Sequence, residues 1–332
     1  MNQSIARFLY YLGIAHTLRY YKHRNKLVTI LCLHRISDEY SPCFPALTIK
    51  NFERLLQYIN KRYQVINIAS IGTFTGSKPA LILSFDDGYT DFLVNALPRL
   101  KHYGFAANLN VVTKCLDNNF QIWTERKNNL LKEIALHKHR CTISLDKEDV
   151  LEITAFDDKS IFNYGLQLFT FLFTKDEAYV ENFITELQNS LPFSILPTPM
   201  LSWSDLQYAL ENFDIELGSH SVSHITLSNI GDSIRLQKEI LDSKKNIEER
   251  TGRTIDIFAL PNGNYNHGVI NQCKSAGYKH ILTVDEKLVP TKQYNDFILP
   301  RVLVAYTGFH ENILKTENFH NVAKGIIAKI KK

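Results

Sequence analysis

Apolar runs that stop at turn-forming or polar residues alternate with amphipathic stretches along most of this chain. Leu27-Val28-Thr29-Ile30-Leu31-Cys32-Leu33 is nearly all apolar and ends at His34-Arg35, and residues 80–85 form a second run ending at Asp86-Asp87-Gly88-Tyr89. Runs of this length fit strands covered on both faces of a sheet. Further strands are expected at residues 105–112, 214–217, 255–260, 279–284 and 297–304. Residues 51–63 put Phe52, Leu55, Leu56 and Ile59 on one helical face, and a helix after Asp87 ends near Gly104 with Pro98 expected to kink it. Helices are also expected at 204–212, 233–250 and 269–276. Strands alternating with helices predict an α/β fold with a parallel sheet or a closed barrel, and chemistry at the strand C-termini.

Two regions depart from this rhythm. Residues 115–200 hold helical patterns at 128–135 and 161–173 and no clear strand, which predicts a helical insertion within one domain spanning residues 26–332. Residues 1–25 predict an N-terminal amphipathic helix. Its apolar stretch follows Arg7, is interrupted by His16 and Thr17, lacks a small-residue cleavage site and runs into Arg19, Lys22, Arg24 and Lys26. That pattern is a poor signal peptide, so a cytoplasmic protein is expected, with packing on the domain favoured over peripheral contact with a membrane. The basic C-terminal helix (Lys324, Lys329, Lys331 and Lys332, with Ile326, Ile327 and Ile330) reads as a solvated face, with anionic lipid as the alternative.

Composition narrows the function classes. The chain has 332 residues, 45% hydrophobic and 22% charged, and a net charge of +4 that does not point to nucleic acid. Its five cysteines are scattered and never form a C-x-x-C pair, which argues against a disulfide framework or a thiolate zinc site.

Most candidate polar groups fall at the ends of expected strands: His34, Asp86, Asp87, His220, His224 and the Pro261-Asn262-Gly263 turn. In a closed parallel architecture these ends meet on one face. The i, i+4 spacing of His220 and His224 is expected to place both imidazoles on one face of a helical turn, a common way to chelate zinc. A carboxylate from another strand end completes a His-His-Asp set with one coordination position open for water or substrate. Adjacent aspartates diverge in direction, so one can ligate the metal while the other acts as general base, and His34 is suited to protonate a leaving group. This is a scheme for metal-assisted hydrolysis of an acyl group.

The same residues carry a family resemblance. Ser84-Phe85-Asp86-Asp87-Gly88-Tyr89, His220-Ser221-Val222-Ser223-His224 and Phe258-Ala259-Leu260-Pro261-Asn262-Gly263 resemble, in order, three signatures of the polysaccharide deacetylase family (carbohydrate esterase family 4, the NodB-homology domain). The stretch ending in Leu33-His34-Arg35 is similar to the permuted branch that contains poly-N-acetylglucosamine deacetylases. The resemblance implies a distorted (β/α) barrel that removes N-acetyl groups from glycans, with Asp86 as base, Asp87, His220 and His224 as ligands of Zn2+ or another divalent metal, and His34 as acid. Two positions depart from the pattern. Ala259 stands where most members carry the arginine that orients the base, and Asn262 replaces a tyrosine. Arg301 is the expected substitute for that missing cation.

The leading expectation is therefore a metal-dependent deacetylase acting on an N-acetylated glycan or a lipid-linked sugar during assembly of a surface polysaccharide. A catalytically impaired glycan-binding or assembly protein on the same fold is the alternative, resting on Ala259 and Asn262. A metal-dependent phosphoester hydrolase is a third reading, and it would call for more basic groups at the strand ends than Arg35 and Arg301.

Overall fold

The expected strands assemble into a closed ring. A computed structural model of the chain describes residues 3–117, 120–145, 149–293, 297–304, 308–319 and 321. In chain order its strands are β1 (Leu27–Leu33), β2 (Gln64–Val65), β3 (Ala80–Asp87), β4 (Ala107–Val111), β5 (Cys141–Ser144), β6 (Val150–Ile153), β7 (Ile215–Ser219), β8 (Ile257–Ala259), β9 (His280–Thr283), β10 (Val289–Pro290), β11 (Ile298–Pro300) and β12 (Val302–Leu303). The sheet runs β1-β3-β4-β7-β8-β9-β11 with every step parallel. β12 then pairs in parallel with β1 and shuts the ring. The single strand expected at 297–304 is thus two short ones. β11 must reach β9 while β12 reaches β1, so the chain changes neighbours at the residue between them, and that residue is Arg301.

Alternation along the strands sorts their side chains into two cores. Leu31, Leu33, Leu81, Leu83 and Phe85 pack outward against the helices, whereas Val28, Ile30, Ala80, Ile82, Ile257, Ala259, Leu282 and Leu299 form the inner cluster. With both faces buried, β3 reads as an unbroken apolar run. Continuing the inward positions past Ile30 and Ile82 reaches Cys32, Ser84 and Asp86. The lower barrel is therefore oily and its C-terminal end is polar, the layering typical of such barrels.

The helices account for the other expectations. The stretch expected as one N-terminal helix holds two, α1 (Gln3–Tyr11) and α2 (Ile14–Arg24), broken where Gly13 takes a left-handed φ of 79°. Lys22 of α2 is buried, ion-paired to Glu317 Oε2 at 2.8 Å, and donates to Tyr63 Oη at 2.6 Å and to the Thr316 carbonyl at 2.9 Å, which pins α2 to the barrel. Helix α3 (Ile49–Arg62) follows β1, and α4 (Leu97–Tyr103) follows β3. Pro98, expected to kink its helix, lies in the first turn of α4, which continues directly from a π turn over Phe92–Ala96, a local rearrangement of the hydrogen-bond ladder just ahead of the proline.

The insertion holds α5 (Trp123–Leu136), α6 (Asp158–Phe173) and α7 (Glu177–Ser190), but it is not purely helical. β5 and β6 form an antiparallel hairpin between α5 and α6. Each strand has only four residues, and just Ile143, Leu151 and Ile153 are buried, so the alternation was too short to read. The insertion has its own apolar cluster, built on Leu130, Leu131, Ile134, Ile161, Leu168, Leu172, Val180 and Ile184. Among the described residues no helix is long and apolar enough to cross a membrane. The basic C-terminal helix expected after residue 321 lies outside the described residues.

Candidate active site

Two buried clusters meet at the C-terminal mouth of the barrel. In the first, Asp87 Oδ1 lies 3.3 Å from His220 Nε2 and 3.4 Å from His224 Nε2, all three residues being buried. In the second, Arg301 grips Asp86 with both arms, Nη1 to Oδ1 and Nη2 to Oδ2 at 2.7 Å each. Neighbouring carboxylates can serve separate clusters because Asp87 has a φ of 76°, which turns it off the strand's alternation.

The histidines converge by a route other than the expected helical turn. β7 ends at Ser219, and residues 220–224 form a loop in which Ser221 and His224 take φ values of 67° and 58°. The loop is braced by Glu239, fully buried, which accepts from the amides of Val222 (3.1 Å) and Ser223 (2.9 Å) and from Ser223 Oγ (2.8 Å). His220 Nδ1 sits 2.8 Å from the Ala259 carbonyl, so that nitrogen carries the proton and Nε2 is left with a lone pair facing Asp87. Ala259 thus contributes through its backbone.

This donor set fits a divalent cation. Ligand atoms about 2.1 Å from a tetrahedral zinc lie about 3.4 Å from one another, the spacing seen between Asp87 Oδ1 and each imidazole. Asp87 Oδ1 is buried and has no hydrogen-bond partner among the described residues, an orphan that a cation would satisfy. Burial alone would raise the Asp87 carboxyl pKa, but the adjoining imidazoles, His220 foremost and then His224 and His34, outweigh it and hold it at about 2. Burial pushes His224 down to about 4, leaving its imidazole neutral and able to ligate at neutral pH.

The second cluster is a carboxylate with its donors. Burial would raise the Asp86 pKa, yet the charge of Arg301 and then of His220 hold it well below the usual carboxylate range. Asn110 Nδ2 donates to Asp86 Oδ1 at 2.8 Å, and the Cys32 thiol approaches Oδ2 at 3.5 Å. Ser84 Oγ accepts from Arg301 Nη1 at 3.0 Å and donates to Asn108 Oδ1 at 2.7 Å. The sequence reading missed Asn110, Ser84 and Glu239. Asn110 had a signal, since Asn108 and Asn110 are polar residues in alternate positions of a buried strand. Gly218 belongs with them, because a Cβ there would overlap the Asn110 amide oxygen.

His34 directly follows β1 within reach of Asp86 and Cys32, its ring edge-on to Phe44 at 5.3 Å. His34, Asp86, Asp87, His220, His224 and Arg301 all border one cavity of about 350 Å³. The insertion supplies one wall of that cavity through Phe162, Leu166 and Phe169 of α6 and through Glu125 and Lys127 of α5. Leu260, Asn262 and Gly263 line the barrel side, and Asn262 holds a left-handed φ of 57°. The other expected cation, Arg35, is engaged by Asp91 (2.9 Å) and Glu39 (2.8 Å). His137 and His139 pack against Phe193, away from this cavity.

Comparison with known proteins agrees with the geometry. The sequence profile of the family described as polysaccharide deacetylase matches residues 163–281, a span that includes both histidines and the Pro261 turn. The poly-beta-1,6-N-acetyl-D-glucosamine N-deacetylase of Staphylococcus aureus is 24% identical over 128 residues, covering 36% of this chain and 44% of that protein. Over that span the chain is similar to polysaccharide deacetylases. IcaB from Ammonifex degensii shares the fold with a TM-score of 0.58 at 12% identity, over 88% of this chain and 97% of that one. The Streptococcus pyogenes deacetylase PplD, solved with acetate, does so with a TM-score of 0.57 at 16% identity, over 88% and 98%. The α/β barrel expected from the sequence is the fold these family structures share. The alignments to curated relatives span 38% and 44% of those proteins' lengths.

Proposed function

We propose that this chain is a metal-dependent N-deacylase that removes an acetyl group from an amino sugar of a glycan. The observation that carries the reading is the tetrahedral spacing of Asp87, His220 and His224 beside the gripped carboxylate of Asp86. Asp87, His220 and His224 would hold the ion, with zinc favoured by the nitrogen-rich donor set. A divalent ion so held supplies a Lewis acid for the acyl oxygen and a water of lowered pKa.

The chain's own groups do the remainder. Arg301 and Asn110 hold Asp86 ionised and fixed in direction. Oδ2, whose only donor besides Arg301 Nη2 among the described residues is the distant Cys32 thiol, is the oxygen free to take the proton of the attacking water. His34 gives a proton to the amine nitrogen as the carbon–nitrogen bond breaks, releasing acetate and the free amine. The apolar wall from α6 excludes bulk water and offers ring faces to a sugar.

Acetate release from N-acetylated oligosaccharides and lipid-linked sugars tests this. Asp86→Asn is expected to abolish release while leaving zinc uptake intact. Wild-type turnover in that variant would sink the mechanism. A glycan-binding protein without catalysis has no use for an oriented base, and the engagement of both Arg35 and Arg301 leaves neither for a phosphoester.

We also propose peripheral contact with an anionic membrane on the cytoplasmic side, which would suit a lipid-linked substrate. Support comes from Ile5, Phe8, Tyr11, Leu12, Tyr20 and Tyr21, exposed on α1, α2 and the turn between them. Residues 1–26 also contain no Asp or Glu.

A further inference from the structure

The insertion and the histidine loop are joined by a chain of charges. Glu239, the fully buried brace of residues 222–223, also pairs through Oε1 with Arg235 Nη2 at 3.0 Å. The same Nη2 reaches Glu177 at the start of α7, at 2.7 Å to Oε2 and 3.0 Å to Oε1. One guanidinium nitrogen therefore links a carboxylate of the insertion to the carboxylate that shapes the loop between His220 and His224. Nearby, Asn229 Nδ2 donates to the Phe173 carbonyl at the end of α6 at 2.6 Å, a second tie between the same two parts.

The two ends of this chain matter to the same cavity. α6, whose Phe162, Leu166 and Phe169 wall the cavity, shares an apolar cluster with α7 through Leu168, Leu172, Val180 and Ile184. At the other end, Ser221 and His224 hold left-handed backbone conformations that cost free energy and persist only where surrounding contacts enforce them. Glu239 supplies such contacts by fixing two consecutive amides and a hydroxyl. Its position is set in turn by Arg235, a cation with one side in solvent and the other against Glu239.

We propose that Arg235 is a positioning residue that couples seating of the insertion to the metal-binding geometry. With α7 docked, Glu177 draws Arg235 into place, Glu239 is held, and the two imidazoles face Asp87. With the insertion displaced, Arg235 is released toward solvent, and the loop relaxes from its strained conformation. The wall of the substrate cavity and the metal ligands are thereby completed together. This rests on the assignment of Asp87, His220 and His224 as ligands.

The test uses the full chain and two readouts. Zinc affinity is measured by chelator competition, and hydrogen exchange is followed at the Val222 and Ser223 amides. Glu177→Ala and Arg235→Ala are each expected to weaken zinc binding by about 3–10-fold, at or below the low end of the range for residues that orient ligands. The double variant is expected to lose no more than the worse single one, as for residues acting in one chain. Both single variants should speed exchange at the two amides, and Arg235→Lys should recover part of both effects. A lower melting temperature with wild-type zinc affinity and wild-type exchange would make the cluster a mere clip and overturn the proposal. So would an effect of Arg235→Ala that Glu177→Ala does not share, since the insertion would then be uncoupled. Failure of the wild type to take up zinc would refute the ligand assignment instead, and the exchange comparison would still decide the coupling.

Discussion

Replacing Arg301 by alanine separates the roles of the gripped carboxylate. Arg301 is fully buried, Asp86 is 3% exposed, and two 2.7 Å bonds join them. Removing one partner of a buried pair leaves an uncompensated charge, at a cost of about 3–5 kcal/mol. Unfolding entropy near 2.1 cal/mol/K per residue gives about 0.7 kcal/mol/K for a chain this size, so the melting temperature should fall by about 4–7 °C. The loss should depend on pH. In the wild type the Asp86 pKa is held below its unfolded value, so the pair's stabilisation is complete above about pH 4 and fades only as pH falls below that. Without Arg301, burial dominates and raises the pKa. The penalty is then present at neutral pH and shrinks as the carboxyl protonates in acid. The difference in melting temperature between wild type and Arg301→Ala should therefore be larger at pH 8 than at pH 4.5. Turnover should fall by about 10²–10³-fold, with its acid limb moved to higher pH, because a base that is protonated and unaimed loses its contribution. Equal melting differences at both pH values, or near-normal turnover, would refute the assignment of Arg301 as the cation that orients Asp86.

Gly218→Ala should drive the Asn110 amide off Asp86, costing about 1–3 kcal/mol of stability as an overpacked core does, and unchanged melting and turnover would show that Asn110 can shift freely. Adding zinc to metal-stripped protein at about 100 times its dissociation constant should stabilise the fold by about 2.7 kcal/mol, or roughly 4 °C; His220→Ala should abolish that increment, and an equal increment in the variant would place the ion elsewhere. Phe8→Asp should weaken sedimentation with anionic vesicles while leaving acetate release from a soluble substrate unchanged, and equal sedimentation would remove α1 from any membrane contact.

The barrel was legible because its strands are covered on both faces, which writes them as unbroken apolar runs ending in polar residues. His34, Asp86, Asp87, His220 and His224 were legible for a related reason. A carboxylate or imidazole right after such a run sits where desolvation is costly, so folding alone would seldom place it there. Arg301 was visible as a cation in the last strand, but not the break in that strand, because no local pattern reports that β11 and β12 have different neighbours. The loop carrying His220 and His224 was misread as helical because the i, i+4 spacing is the same whether the backbone is helical or turns through left-handed residues. Asn110 was visible as a polar residue in a buried strand, but its fit against Gly218 was hidden for another reason: pairing between β4 and β7 is not written in either segment. The β5–β6 hairpin and Glu239 stayed invisible because four-residue strands and a lone acid in a charged helix look like ordinary surface.

The seam at Arg301 sets an order of events during synthesis. Asp86 and its counter-charge are 215 residues apart, and the residue that neutralises the carboxylate is also the one at which the ring shuts. Until the last strands leave the ribosome, β1 lacks its β12 neighbour and Asp86 lacks its cation, so an incomplete chain that buried β3 would have to bury a bare charge. Closing the barrel without residue 301 would therefore cost free energy that the full chain avoids. The paired Asp86 and the closed ring are thus completed by the same residue, and a chain ending before residue 301 would present an open sheet edge at β1.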